Sequence, residues 1–290
     1  MPLKLMYITN DENVALIAEK SGVDRIWIDL ETLGKEQRQK NFDSVKSHHS
    51  IEDIRRIRPL LTTSELLVRV NPWHDGSVEE INAVIGAGAQ RIMLPMWESS
   101  EEAKYFIDTV NGCVKTSLLL ETRGAEECLD EVLKLDGIDE IHIGLNDLHI
   151  QYSLHFMFEL LANGTVERIC NKIKEAGIPY GFGGIARLGY GDVPAEMVIA
   201  EHYRLGSTRA ILSRAFCDTS KVKDYNEIER IFSEEMVKLR EYEKCVCEYS
   251  DKEYKDNQKR FISGVNTVVK RIASRQYEET YKRTIGKINK

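Results

Sequence analysis

Eight short apolar runs rich in β-branched and aromatic residues recur along the chain, with helix-like stretches between them. They are LKLMYIT from Leu3, RIWIDL from Arg25, ELLVRVN from Glu65, RIMLPM from Arg91, VKTSLLLE from Val114, EIHIGL from Glu140, IPYGFGG from Ile178 and TRAILSR from Thr208. Their nearly continuous apolar character predicts strands buried on both faces, as in a parallel sheet covered by helices. Eight such units in series favour an α/β fold of the TIM (β/α)8 barrel type. A doubly wound open sheet is the alternative, and it leaves two or three strands unexplained.

The helix signals agree with this order. NVALIAEKSG closes on Gly22, and SIEDIRRIRPLL opens on Ser50 as its N-cap. SVEEINAVIGAGAQ and SSEEAKYFIDTVNG both open on serine followed by paired glutamates, which suits a helix N-terminus. Two segments exceed the basic plan. One is the charged loop at 33–49; the other is NDLHIQYSLHFMFELLANGTVERICNKIKEAG, read as two helices around Asn163 and Gly164. Both follow strands on the C-terminal face, where long loops shape substrate sites.

We read residues 1–216 as a catalytic barrel domain and 217–290 as a helical extension. Beyond Tyr225 the apolar positions Ile228, Phe232, Met236, Leu239 and Tyr242, and then Phe261, Val265, Val268 and Ile272, recur every three or four residues. Such helices either close the barrel or form a subunit-contact arm.

Composition excludes some partners. A net charge of −7 argues against a general nucleic-acid binder, and no apolar run reaches the length of a membrane span. The start MPLKLMYITNDEN lacks the apolar core of a signal peptide, so a cytoplasmic protein is expected. Cys113, Cys128, Cys170, Cys217, Cys245 and Cys247 are scattered without zinc or redox spacing and are expected to be reduced. The seven histidines form no HExxH pattern.

The chemistry concentrates in LLLETRGAEECLDEVLKLDGIDEIHIGLNDL, which reads as strand, helix, strand, each strand ending on a carboxylate: Glu121 and Asp147. Parallel-sheet proteins line their active sites with residues from strand C-termini, so two such acids could share one metal ion. Thr122 and Asp147 read equally well as helix caps. Glu121 ends a strongly apolar strand, where a buried carboxylate is costly unless paired or metal-bound. Two oxygen ligands completed by water suit Mg²⁺ or Mn²⁺ rather than structural zinc.

Other candidates surround this pair. Arg69 stands near the end of the third strand, where a guanidinium could grip a carboxylate or stabilise an enolate. Asp29 could orient another side chain, whereas Glu31 reads as a surface residue. Of the loop histidines His48 and His49, His49 is the candidate base, with an ordinary surface position as the plainer reading. GFGGIARLGYGDVPAEMV, which contains Arg187, could cradle a phosphate, although its glycines serve equally to turn the chain.

LLVRVNPW, INAVIGAGAQRIMLPMWESSEEA and LLETRGAEECLDEVLKLDGIDEIHIGLNDL, in that order, resemble the HpcH/HpaI aldolase and citrate-lyase-beta family over roughly residues 25–214. The resemblance implies a TIM-type barrel that binds a divalent metal and a pyruvate-like 2-oxo acid or a related acyl thioester. It implies that Glu121 and Asp147 are the metal ligands, that Arg69 contacts the substrate oxygen and that Asp29 is the acid after the second strand. Gly144 then falls in the loop whose backbone approaches the oxo acid, with Leu145 and Asn146 beside it as substrate-binding positions.

Three positions depart from the family pattern. Its 2-oxo-acid aldolases carry histidine at Thr32, often glutamine at Leu119, and usually proline at Leu145. The expected activity is therefore metal-dependent carbon–carbon cleavage of a 2-oxo acid through a stabilised enolate, with an aldehyde as second substrate. A thioester lyase of the citrate-lyase-beta or malyl-CoA type is one alternative, and a non-catalytic metal- and oxo-acid-binding barrel is the other. The resemblance also implies a homo-oligomer, commonly a hexamer.

Overall fold

The structure, a computed structural model, describes residues 1–34 and 49–288. All eight runs form strands: β1 (Lys4–Ile8), β2 (Arg25–Asp29), β3 (Glu65–Arg69), β4 (Arg91–Leu94), β5 (Lys115–Leu120), β6 (Ile141–Ile143), the pair β7 (Tyr180–Phe182) and β8 (Gly184–Ile185), and β9 (Arg209–Leu212). Every pairing is parallel, in the order β7-β6-β5-β4-β3-β2-β1-β9-β8.

The two ends of that order are one interrupted stave. β7 pairs with β6, β8 pairs with β9, and only Gly183 separates them. Its N–H donates to the Ile143 carbonyl at 3.0 Å, while its carbonyl accepts from Ile211 N–H at 3.3 Å, and this closes the barrel. Gly183 has φ +47°, and a Cβ there would lie 2.6 Å from Leu145 Cδ1, so both backbone and space call for glycine.

Side chains alternate across a strand, so the inward residues fall into layers. The middle layer is apolar: Met6, Trp27, Leu67, Met93 and Leu119 form a cluster separate from the larger core between sheet and helices. Two residues earlier on these strands the interior is ionic. Arg25 meets Glu140 at 2.7 Å and Glu65 at 2.5 Å; Arg91 meets Glu65 at 3.0 Å and Glu140 at 3.4 Å; Arg209 meets Glu140 at 3.1 Å. Ser117 Oγ donates to Glu140 Oε1 at 3.1 Å. Burial raises the Glu140 pKa, but the three arginines outweigh it and hold the carboxyl below its usual range.

The helices start as their sequences dictate. Asp11 and Ser99 accept from Val14 and Glu102 N–H groups, and Ser50 forms a reciprocal capping box with Asp53. Ser77 lies one residue inside its helix, after Gly76. The segment after β6 forms three helices rather than two: Leu145–Gln151, Glu159–Ala162 and Thr165–Glu175. A first break falls near Ser153 (φ +55°), and Gly164 (φ +84°) supplies the expected one.

Helix Tyr225–Cys247 packs on helices Glu12–Lys20 and Ala195–Arg204, burying Ile228, Phe232, Met236 and Leu239. Helix Asp251–Ile288 packs on Ala195–Arg204 and Glu159–Ala162, burying Phe261, Val265 and Val268. These parts of both stripes are covered by the barrel's own helices. No described helix is long and apolar enough to cross a membrane. The loop expected at 33–49 and its His48 lie outside the described residues, apart from the loop's two ends.

Breaking one side of the ionic layer strands buried arginines. Glu140→Gln should lower unfolding free energy by about 3 kcal/mol or more in urea titrations at neutral pH. Because folding depresses the Glu140 pKa, its contribution is complete above the unfolded value of about 4.3 and is lost as pH falls below it. The variant should therefore lack that part of the wild-type acid sensitivity.

Candidate active site

At the C-terminal ends of the strands lies a cleft of about 440 Å³, lined among others by Asp29, Arg69, Glu121, Gly144, Leu145, Asn146 and Asp147. The barrel thus gathers every expected site residue into one lining except His49. Trp27, Leu119 and His142 contribute to the same lining from the middle layer, and Ser213, Arg214, Asp218, Thr219 and Ser220 from the loop after β9.

Arg69 and Asp29 are register partners on β3 and β2. Arg69 Nε donates to Asp29 Oδ1 at 2.8 Å and Nη2 to Oδ2 at 2.9 Å, a bidentate fork that fixes the guanidinium plane. Nη2 also lies 3.1 Å from Glu31 Oε2, and the guanidinium sits 5.3 Å above the Trp27 ring. Burial disfavours the Arg69 charge, but Asp29 and Glu31 outweigh it and keep the group firmly protonated.

Glu31 is not the surface residue expected from sequence. It is only 2% exposed, because it continues the inward parity of Arg25, Trp27 and Asp29. Its N–H also donates to Asp29 Oδ1 at 3.2 Å. Parity counted along the strand is the signal that could have found it.

His49 reaches the same strand end from the far side of its loop. The Asp29 N–H donates to His49 Nδ1 at 2.9 Å. This hydrogen bond ties His49 to the backbone of Asp29. Thr32 serves the loop entry: its N–H and hydroxyl and the Leu33 N–H all meet Asn71 Oδ1, at 2.9, 3.3 and 3.0 Å.

Glu121 follows β5 and is 3% exposed, with Met96 N–H donating to Oε1 at 3.3 Å. Thr122 is the N-cap of helix Arg123–Glu127, so the capping task falls on Thr122 and leaves Glu121 on the cleft wall. Asp147 lies in the first turn of helix Leu145–Gln151, where the helix N-terminus favours a carboxylate; the cap position itself is Gly144. Gly144 leaves room for Glu121, since a Cβ there would stand 2.6 Å from Glu121 Oε2.

Asp29, Glu31 and Glu121 are buried and Asp147 is half-buried; Asp29 and Glu31 pair with Arg69, and Arg214 also lines the cleft. Among the described residues, no group of three or more His, Cys, Asp or Glu converges as a metal cluster. In the glycine-rich segment, Gly189 N–H donates to Glu196 at 2.8 Å and Arg187 stacks 4.3 Å over Tyr190. A carboxylate of the chain itself thus occupies one of the amides considered for phosphate.

The family model described as HpcH/HpaI aldolase/citrate lyase matches residues 5–178 of the 290, and the chain belongs to this family. A hydroxypyruvate/pyruvate aldolase of Roseovarius nubinhibens is 29% identical over 142 aligned residues, covering 36% of this chain and 53% of that protein. The match therefore spans about half the length of that curated relative. The HpcH/HpaI aldolase of Desulfitobacterium hafniense DCB-2 superposes with TM-score 0.60 at 14% identity, covering 79% of this chain and 93% of that one. An HpcH/HpaI aldolase/citrate lyase family protein of Burkholderia cenocepacia J2315 gives TM-score 0.59 at 14% identity, covering 78% and 94%. At these identities the structural likeness is one of fold.

Gly144 has φ −82°, which alanine adopts freely, so Gly144→Ala isolates the steric contact with Glu121. The variant should cost about 1–3 kcal/mol in chemical denaturation, and its crystal structure should show Glu121 displaced.

Proposed function

We propose that this family member is a divalent-metal-dependent carbon–carbon lyase, an aldolase acting on a pyruvate-derived 2-oxo acid. The observation that carries the reading is the cleft at the C-terminal ends of the strands, which Glu121 and Asp147 line together with Arg69 and Asp29. Glu121 and Asp147 line the cleft on adjoining elements, and an all-oxygen donor set of this kind fits Mg²⁺ or Mn²⁺ with the remaining positions left to substrate and water. Such an ion would supply Lewis-acid polarisation of the oxo group.

The chain's own residues do the rest. Asp29 and Glu31 engage Nε and Nη2 of Arg69, leaving Nη1 without a partner among the described residues. A guanidinium held so rigidly can meet the negative charge that develops on the oxo oxygen without reorganising. Gly144, Leu145 and Asn146 form the edge beside Glu121 along which the oxo acid would lie. His49 tunes this set through the Asp29 backbone. The cleft volume lies in the range of small-molecule sites, and the relative from Roseovarius nubinhibens supports pyruvate-type chemistry.

Oxaloacetate decarboxylation and deuterium exchange at C3 of pyruvate should both require added Mn²⁺ or Mg²⁺ and stop on chelation. Glu121→Gln and Arg69→Lys should each lower the rate by about 100-fold or more with the fold intact by circular dichroism. Equal rates for wild type and Glu121→Gln would sink the reading.

A further inference from the structure

At the exits of β2 and β3 the parallel ladder ends and a side chain takes over. The last backbone bond runs from Leu30 N–H to the Arg69 carbonyl at 2.9 Å. One step further, the same pattern would pair Thr32 N–H with the Asn71 carbonyl. The Asn71 side chain takes that bond instead. Its Oδ1 accepts from Thr32 N–H at 2.9 Å, from the Thr32 hydroxyl at 3.3 Å and from Leu33 N–H at 3.0 Å. Asn71 stands two residues beyond Arg69, and Thr32 follows Glu31, whose Oε2 lies 3.1 Å from Arg69 Nη2.

Three donors on one atom require that atom to be the amide oxygen, and a second residue enforces this orientation. Asn71 Nδ2 donates to Glu80 Oε1 at 2.9 Å, and the Asn71 N–H reaches the same oxygen at 3.2 Å. Glu80 belongs to helix Ser77–Ala87, so the tie runs from a strand end to the helix that follows it. The other oxygen, Oε2, lies 3.2 Å from His74 Nε2. His74 Nδ1 accepts from Gly76 N–H at 3.0 Å, so in the neutral ring the hydrogen sits on Nε2 and is given to Glu80. Both oxygens of Glu80 thus act as acceptors. An Asn71 amide turned the other way would set its NH2 against three donors.

We propose that Asn71 and Glu80 are positioning residues of the active site, holding the exit of β2 so that Glu31 stays on Arg69 Nη2 and the guanidinium keeps its plane. The proposal rests on the lyase reading above, in which Arg69 meets the charge that develops on the oxo oxygen. Neither Asn71 nor Glu80 lines the cleft, so both act through Arg69. A guanidinium turned from the oxo oxygen slows the step that forms the charge and leaves ground-state binding largely as it was.

The test is a reciprocal exchange of the two groups. Asn71→Asp keeps an oxygen for Thr32 and Leu33 but sets two carboxylates against each other. Glu80→Gln keeps the shape but cannot accept from both Asn71 and His74. In the double variant Asn71→Asp/Glu80→Gln the donor and acceptor of the 2.9 Å bond trade places, and only the longer bond from the backbone N–H is lost. Deuterium exchange at C3 of pyruvate is followed in the presence of Mn²⁺. Each single variant should lower kcat by about tenfold while KM changes by less than about twofold, and the double variant should recover most of the loss. Crystal structures should show Glu31 drawn away from Arg69 in the single variants and returned in the double one. Glu80→Gln carries the test should Asn71→Asp fail to fold.

A purely structural tie would lower unfolding free energy and leave kcat of the folded protein unchanged. Folded single variants with the wild-type kcat, or a double variant no better than the singles, therefore overturn the positioning role. A wild type that exchanges no C3 proton overturns the lyase reading. The crystal structures then decide the tie by themselves, and Glu31 unmoved in the single variants overturns it.

Discussion

Closing a parallel sheet into a barrel places every second side chain of every strand in a space that bulk water scarcely reaches. Whatever polarity the chain puts there must be neutralised from within. In this protein the neutralisation is divided by depth. Glu65 and Glu140 meet Arg25, Arg91 and Arg209 at the N-terminal end, apolar side chains fill the middle, and Arg69 meets Asp29 and Glu31 at the C-terminal end. The two charged layers lie about 13 Å apart along the strands, separated by the apolar one.

The same division separates stability from chemistry. Every carboxylate of the lower layer has at least two guanidinium partners. In the upper layer Arg69 is held by Asp29 and Glu31, and Glu121 and Asp147 line the cleft with it. A ligand brought to the mouth therefore meets an arginine whose orientation is already set. Preorganisation of this kind is what electrostatic catalysis requires.

The strands were legible in the sequence because they are buried on both faces, and the residues at their ends followed from that. Arg69, Asp29, Glu121 and Asp147 all stand where an apolar run stops. Continuous burial hides the inward and outward parity, however, so the next residues along were not legible. Glu31 read as surface, and nothing in the sequence marked Arg25, Glu140, Trp27 or His142 as interior polar groups. The interruption at Gly183 and the third helix after β6 depend on positive φ at particular residues, which composition suggests only where glycine marks it. The contact of His49 depends on a backbone N–H supplied by Asp29, 20 residues earlier in the chain.

Strand β6 shows how tightly these features are coupled. Glu140, His142 and Gly144 are spaced by two, so one strand contributes to the ionic layer, the middle layer and the edge beside Glu121. A register slip of one residue would turn all three outward together and bring Ile141 and Ile143 inward. The ion pairs of Glu140 oppose that slip because they tie β6 to arginines on β2, β4 and β9, which neighbour-to-neighbour strand hydrogen bonds do not do. Glu140 thus fixes the height at which Gly144 meets Glu121. The precision of the mouth is set in part by charges at the opposite end of the barrel.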